Sequence, residues 1–145
     1  MSDVVWSINP KHDSVEALLH RLAAFAHEIC EAKGIQLKMD VSQQIARMRL
    51  LPELRRNLLL IAKEALHNAA KYSGSPSVNV TIDTNGQEIT IVVEDHGRGF
   101  DVTDSNEGNG IANMRGRAEK LGGKFEIISE IGKGRRVMAT VSYQG

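Results

Sequence analysis

Two short runs of alternating residues around Asn85-Gly86 restrict the fold of this chain more than any other feature. Branched apolar residues recur at every second position in residues 78–83 before the turn and in residues 89–94 after it. A period of two places these side chains on one face of a strand, and Asn-Gly favours the tight turn of a β-hairpin. The segment therefore predicts a β-hairpin with one face against a core.

Further helices and strands are predicted on both sides of this hairpin, whereas residues 42–50 stay ambiguous. The predicted helices are 13–33, 52–72 and 111–121, and the further strands are 35–41, 125–131 and 135–143. Consecutive strand pairs with short turns, together with amphipathic helices, are typical of the α/β (α+β) class. We expect a two-layer α/β sandwich in which three helices cover one face of a mixed, mostly antiparallel sheet.

The composition limits the classes of partner and the compartment. The 145 residues suit one domain, and 18 basic against 18 acidic residues argue against a broad nucleic-acid surface. Cys30 is the only cysteine, which fits a reducing compartment, and its apolar surroundings in the sequence favour a buried, inert thiol. No run approaches the roughly 18 apolar residues of a membrane span, and the first residues lack a secretion signal. We expect a cytoplasmic segment without membrane contact.

Four polar residues lie on one side of the second predicted helix. Glu64, Asn68, Lys71 and Tyr72 fall within about a third of the helix circumference. An amide oxygen suits Mg²⁺, an ammonium suits phosphate oxygens, and a carboxylate can orient or deprotonate an attacking group. This stripe indicates a site for a metal–triphosphate. The alternative is a solvated helix face with ordinary side-chain hydrogen bonds.

Asp95 ends the second strand of the hairpin and is followed by a glycine-rich sequence. Its carboxylate can accept a hydrogen bond from the amino group of adenine, and Gly97 and Gly99 allow a base to lie against the backbone. Gly108 and Gly110 precede the last predicted helix, whose N-terminal N–H groups favour phosphate, and they allow the preceding loop to close as a lid. The alternatives are a local Asx-turn for Asp95 and a simple turn for the glycines.

In combination, the motifs resemble the ATP-binding catalytic domain of two-component sensor histidine kinases, whose fold is shared by gyrase, heat-shock-90 and mismatch-repair ATPases. Residues 64–72 are similar to the kinase N box, and residues 95–100 to the G1 and F boxes. Residues 108–115 resemble the second glycine box of the kinases that pair with helix-turn-helix response regulators. Residues 3–10 resemble the end of the dimerisation region in that subfamily.

The resemblance implies a division of the chain and a role for each candidate residue. We expect residues 1–12 to be the joint to a dimerisation region and residues 13–145 to be the catalytic domain. By the same resemblance, Asn68 would ligate Mg²⁺, and Lys71 and Tyr72 would contact phosphates. Asp95 would bind the adenine amino group, and Glu64 would assist phosphoryl transfer. The pocket and its lid would be shaped by Gly97, Gly99, Gly108 and Gly110. Arg135 stands where the family has threonine, so one hydroxyl expected to bind the nucleotide is missing.

The implied reaction moves the γ-phosphoryl group of ATP·Mg to a histidine on the dimerisation domain of a parent kinase, which then serves a response regulator. The phosphoacceptor motif is expected before residue 1, so the chain is expected to be part of a larger kinase, with any membrane anchor elsewhere. The alternatives are an ATP-gated partner-binding switch of the anti-sigma serine kinase type and a module that only scaffolds partners.

Overall fold

The computed structural model describes residues 15–72, 77–96, 108–130 and 134–142. Along these ranges the chain forms helix α1 (Val15–Ala32), strand β1 (Gln36–Val41), the short helix α2 (Gln43–Ala46), helix α3 (Pro52–Tyr72), strands β2 (Ser77–Thr84) and β3 (Glu88–Asp95), helix α4 (Gly108–Lys120), and strands β4 (Lys124–Glu130) and β5 (Gly134–Ser142). The predicted elements agree with these bounds to within three residues where the structure describes them. The ambiguous segment 42–50 contains α2, which Ser42 caps by accepting a hydrogen bond from Gln44 N–H.

The five strands form one sheet in the order β1-β2-β3-β5-β4. Strands β1 and β2 are parallel, and the other three pairs are antiparallel. A parallel pair requires a crossover connection, which α2 and α3 provide between β1 and β2. The prediction of a mixed, mostly antiparallel sheet is therefore confirmed.

The core lies between the sheet and the three long helices. Alternate residues of β3 and β5 are buried, as are the inward-facing residues of α3 and α4. The largest of these side chains include Ile61 and Leu66 of α3, Met114 of α4, Ile89 of β3 and Val141 of β5. One continuous cluster joins them, so the predicted two-layer sandwich is confirmed. None of the helices within the described ranges combines the length and apolar character that crossing a lipid bilayer demands.

The hairpin turn differs from the one that Asn85-Gly86 predicts. Gly86 has the expected positive φ of 93°, but Asn85 does not share it. Instead, Asn85 Oδ1 accepts hydrogen bonds from the N–H groups of Gln87 and Glu88, at 2.8 and 2.7 Å. Residues 85–87 separate the two strands, so the connection is longer than the two-residue turn, while the pairing of β2 with β3 is as predicted.

Helix α1 ends at Ala32, and Gly34, the predicted stop, follows it with a left-handed φ of 67°. The N–H of Ile35 donates to the carbonyl of Cys30 at 2.8 Å and closes the helix end. Cys30 is buried, and burial raises the pKa of its thiol, in agreement with the interpretation as an inert thiol. The predicted start of this helix at residue 13 lies outside the described residues.

Helices α3 and α4 run antiparallel, as two polar contacts between them show. Lys120 Nζ lies 3.3 Å from Glu53 Oε1, and Arg117 Nη1 donates to Asn57 Oδ1 at 3.0 Å. The Asn57 amide also donates to the Glu53 carbonyl at 2.8 Å. The end of α4 is thus held at the beginning of α3, so the beginning of α4 lies along the second half of α3.

Candidate functional site

The fold brings three predicted site segments, together with the start of β5, to one end of the sheet. Asp95, the last residue of β3, is paired with Val78 at the start of β2 and with Arg135 at the start of β5. Only residues 73–76 separate α3 from β2, so the end of α3 lies at this same end. The start of α4 lies there as well, because α4 runs antiparallel to α3. The end of α3, the end of β3, and the starts of α4 and β5 therefore surround one region.

Glu64 and Asn68 converge on the first turn of α4. A Cβ added to Gly110 would lie 2.6 Å from Glu64 Oε2 and 3.0 Å from Asn68 Nδ2. Asn68 is only 5% exposed, which contradicts the alternative of a solvated helix face at this residue. The absence of a side chain at Gly110 therefore lets the two helices approach closely enough to enclose a carboxylate and an amide.

The structure changes one prediction about the glycines and leaves others untested. Helix α4 begins at Gly108, three residues before the predicted start, so Gly108 and Gly110 form its first turn instead of a preceding loop. The close packing of Gly110 against α3 explains this difference. Lys71 and Tyr72 lie on the last turn of α3, but their side chains are not among the described parts. Gly97, Gly99, Phe100 and residues 1–12 lie outside the described residues, and their predicted roles stay predictions.

Asp95 and Arg135 form an ion pair inside the domain. The buried row of β3 continues from Val93 to Asp95, and the buried row of β5 continues from Val137 to Arg135. The side chain of Asp95 is 1% exposed and that of Arg135 is 3% exposed, and Arg135 Nε lies 3.4 Å from Asp95 Oδ2. The Asp95 carboxylate is therefore buried beside a guanidinium at the end of β3.

Sequence reasoning missed this ion pair and treated Arg135 only as the loss of a hydroxyl. One available signal was the alternation of β5, which places residue 135 on the same face as Val137 and Ala139. Sequence reasoning also missed Asn57, a buried amide that holds Arg117 of α4. Its signal was a polar residue between Leu54 and Leu58 in an otherwise apolar stripe.

Comparison with known proteins agrees with the fold. The model of the histidine kinase-, DNA gyrase B- and HSP90-like ATPases matches residues 53–145, which include α3, α4 and strands β2 to β5. The chain belongs to this family of ATPases.

Two similar proteins are a signal transduction histidine-protein kinase/phosphatase and a sensor protein. The chain is 32% identical over 97 residues to the signal transduction histidine-protein kinase/phosphatase DegS of Bacillus subtilis, covering 64% of this chain and 25% of DegS. It is 28% identical over 103 residues to the sensor protein VraS of Staphylococcus saprophyticus, covering 70% of this chain and 30% of VraS. The chain thus spans between a quarter and a third of the length of these relatives.

Solved structures of histidine kinases share the fold. The blue-light activated histidine kinase of Erythrobacter litoralis EL346 superimposes with a TM-score of 0.70 at 22% identity, covering 84% of this chain and 40% of that one. The histidine kinase AdeS of Acinetobacter baumannii superimposes with a TM-score of 0.72 at 15% identity, covering 91% and 66%. At these identities the likeness describes the fold alone.

Proposed function

We propose that this domain binds ATP with Mg²⁺ and transfers the γ-phosphoryl group to a histidine on a separate dimerisation domain of a sensor histidine kinase. The observation that carries the proposal is the convergence of Glu64, Asn68 and Gly110 at the same end of the sheet as the buried Asp95. Membership of an ATPase family and similarity to DegS and VraS support it.

Asp95 is the candidate for recognition of the base. A carboxylate accepts hydrogen bonds and donates none when it is ionised, so it suits the amino group of adenine and opposes the carbonyl that guanine carries at that position. The Asp95 side chain is only 1% exposed, which keeps water from competing for this contact once a base is present.

The buried amide of Asn68 fits a magnesium ligand. Within the part of the chain that the structure describes, Asn68 Nδ2 has no hydrogen-bond partner, and a half-turn of the amide presents Oδ1 in the same direction. Mg²⁺ prefers oxygen ligands and takes few of them from the protein, so Asn68 would hold the ion with the Glu64 carboxylate close by. When bound, the ion neutralises charge on the triphosphate.

Glu64 is the candidate for moving a proton during transfer. In a neutral imidazole, one ring nitrogen can attack the γ-phosphorus while the other carries a hydrogen. The bond from that phosphorus to the β–γ bridging oxygen breaks, and ADP leaves. The ring hydrogen then passes to the Glu64 carboxylate, which is the role of a general base. Most of the remaining catalysis in such transfers comes from positioning and charge stabilisation.

The wider setting of the domain follows from the same proposal. Residues 1–12 form the joint to the dimerisation region, the response regulator is an indirect partner, and the compartment is the cytoplasm. The similarity to sensor kinases favours histidine phosphorylation over an ATP-gated switch of the anti-sigma serine kinase type.

Thermal unfolding with different nucleotides tests the proposal. With ligand at about 100 times its dissociation constant, binding stabilises a protein by about 2.7 kcal/mol. For a domain of this size that is a rise in melting temperature of roughly 5–10 °C. We expect this rise with ATP and with ADP in the presence of Mg²⁺, a smaller rise without Mg²⁺, and little change with GTP. Equal stabilisation by GTP, or none by ATP, would contradict adenine binding at Asp95.

Substitution of Gly110 tests the close approach of α4 to Glu64 and Asn68. In Gly110→Ala the new Cβ displaces the Glu64 carboxylate, because the two would lie 2.6 Å apart. The same Cβ would lie 3.0 Å from Asn68 Nδ2, so it also displaces the proposed Mg²⁺ ligand, and we expect affinity for ATP·Mg to fall about tenfold, measured by titration calorimetry. The control is Gly116→Ala in the same helix, where a Cβ meets nothing within 4 Å. That control should keep nucleotide affinity and gain about 0.5–1 kcal/mol of stability.

A further inference from the structure

The ion pair between Arg135 and Asp95 is not explained by the proposed function alone. Both side chains are more than nine-tenths buried, and their charged groups are 3.4 Å apart. A buried pair of this kind is seldom more stable than apolar residues of the same size, because desolvation offsets the attraction. Stability therefore gives little reason for a guanidinium here, and a binding role is the better explanation.

The backbone fixes the guanidinium beside the carboxylate. Asp95 and Arg135 are direct partners across β3 and β5. The residue before Arg135 is Gly134, which has a φ of 92°. A Cβ at this position, as in any other residue type, would collide with the Asp95 carbonyl oxygen. The two strands therefore approach closely at this point. Both side chains continue the inward-facing rows, at the end of the sheet where Glu64 and Asn68 also lie.

We propose that Arg135 reads the purine base together with Asp95, an inference that rests on the proposed ATP binding. The edge of adenine presents an amino donor at position 6 next to an acceptor, the ring nitrogen N1. A carboxylate supplies acceptors and a guanidinium supplies donors, so the adjacent pair matches this edge. Asp95 accepts from the amino group, and Arg135 donates to N1.

Guanine presents the opposite order along the same edge, with an acceptor at position 6 and a hydrogen on N1. A base placed in the same orientation would face Asp95 with its carbonyl oxygen and Arg135 with its N1–H. The carbonyl oxygen and the carboxylate would then be two acceptors facing each other, and the N1–H and the guanidinium would be two donors facing each other. The pair therefore makes Arg135 a specificity-determining residue that acts together with the carboxylate.

Nucleotide analogues test this contact without any change to the protein. 1-Deaza-ATP replaces N1 with a C–H group, and 3-deaza-ATP makes the same change at N3, which is separated from N1 by C2 and lies outside the edge formed by N1 and the amino group. We expect the unaltered domain to bind 1-deaza-ATP about tenfold more weakly than ATP, measured by titration calorimetry with Mg²⁺. A loss of one hydrogen bond to a charged group has this magnitude.

Variants of Arg135 show whether the discrimination depends on the guanidinium. Arg135→Ala should bind ATP about tenfold more weakly than the unaltered domain and should bind ATP and 1-deaza-ATP within twofold of each other. Arg135→Lys, which keeps a charged donor, should recover part of the preference for ATP. Any effect of 3-deaza-ATP should be the same in the unaltered domain and in Arg135→Ala. A purely structural arginine would lower the affinity for all three nucleotides alike.

Three results would overturn the proposal. Equal affinity of the unaltered domain for ATP and 1-deaza-ATP would show that N1 receives no contact. Tighter binding of ATP by Arg135→Ala would show that the guanidinium blocks the carboxylate. Failure of the unaltered domain to bind any adenine nucleotide would remove the ATP site itself, whereas the first two results leave ATP binding intact.

Discussion

Asp95→Asn is expected both to destabilise the domain and to remove most of its affinity for ATP. Asparagine keeps the shape of the side chain but leaves the buried Arg135 charge without its 3.4 Å carboxylate partner. Removal of one member of a buried ion pair costs about 3–5 kcal/mol. The amide also places a donor, or a weaker neutral acceptor, where the adenine amino group is expected. Loss of a hydrogen bond to a charged group lowers affinity by roughly 10- to 100-fold.

The two effects of Asp95→Asn are separable by a second substitution. Urea unfolding should give a lower midpoint for Asp95→Asn, and the double variant with Arg135→Met should recover much of the stability, because no buried charge remains. Nucleotide affinity, measured below the melting temperature of each variant, should stay low in both. If the single variant is as stable as the unaltered domain and binds ATP equally well, the buried pair has neither role.

Glu64→Gln is expected to slow phosphoryl transfer to histidine by roughly 10²- to 10⁴-fold, the usual contribution of a positioned general base. The amide keeps the size of the side chain next to Gly110 but cannot take up a proton. Affinity for ATP should therefore change little. The rate is measured as phosphohistidine formation on a dimerisation domain joined to this one, with ATP affinity determined on the same protein.

Glu119→Gln provides the matched control, since Glu119 is an exposed carboxylate on α4 outside the proposed site. It should leave the rate of transfer unchanged. A rate in Glu64→Gln equal to that of the control would exclude the proton-transfer role of Glu64. A parallel loss of ATP affinity would instead assign this carboxylate to nucleotide binding.

The sequence predicts those parts of the fold that depend on neighbours along the chain. Helix α3 was predicted with its observed bounds, because Pro52 begins it and its apolar stripe continues to the last turn. The hairpin of β2 and β3 followed from alternation in the same way. The short helix α2 was not predicted, because four residues give too little periodicity to distinguish a helix from a loop.

The site was predictable only as a set of separate motifs. Spacing on α3 grouped Glu64 with Asn68, and both do contact the turn that contains Gly110. The pairing of Asp95 with Arg135 depends on β5 lying next to β3, and these residues are 40 positions apart with β4 between the two strands in sequence. Local patterns carry no information about that order, so the ion pair became visible only in the folded chain.

The two consecutive arginines at the start of β5, Arg135 and Arg136, affect how the register of β5 against β3 is specified. A slip of one residue would bring Arg136 opposite Asp95 and preserve an ion pair of the same type. The same slip would turn Val137, Ala139 and Val141 out of the core, and each larger apolar side chain contributes about 1.5–3 kcal/mol when buried. The register of β5 against β3 is therefore set by the apolar residues of β5. The ion pair with Asp95 does not distinguish the two registers, because each places an arginine opposite the carboxylate.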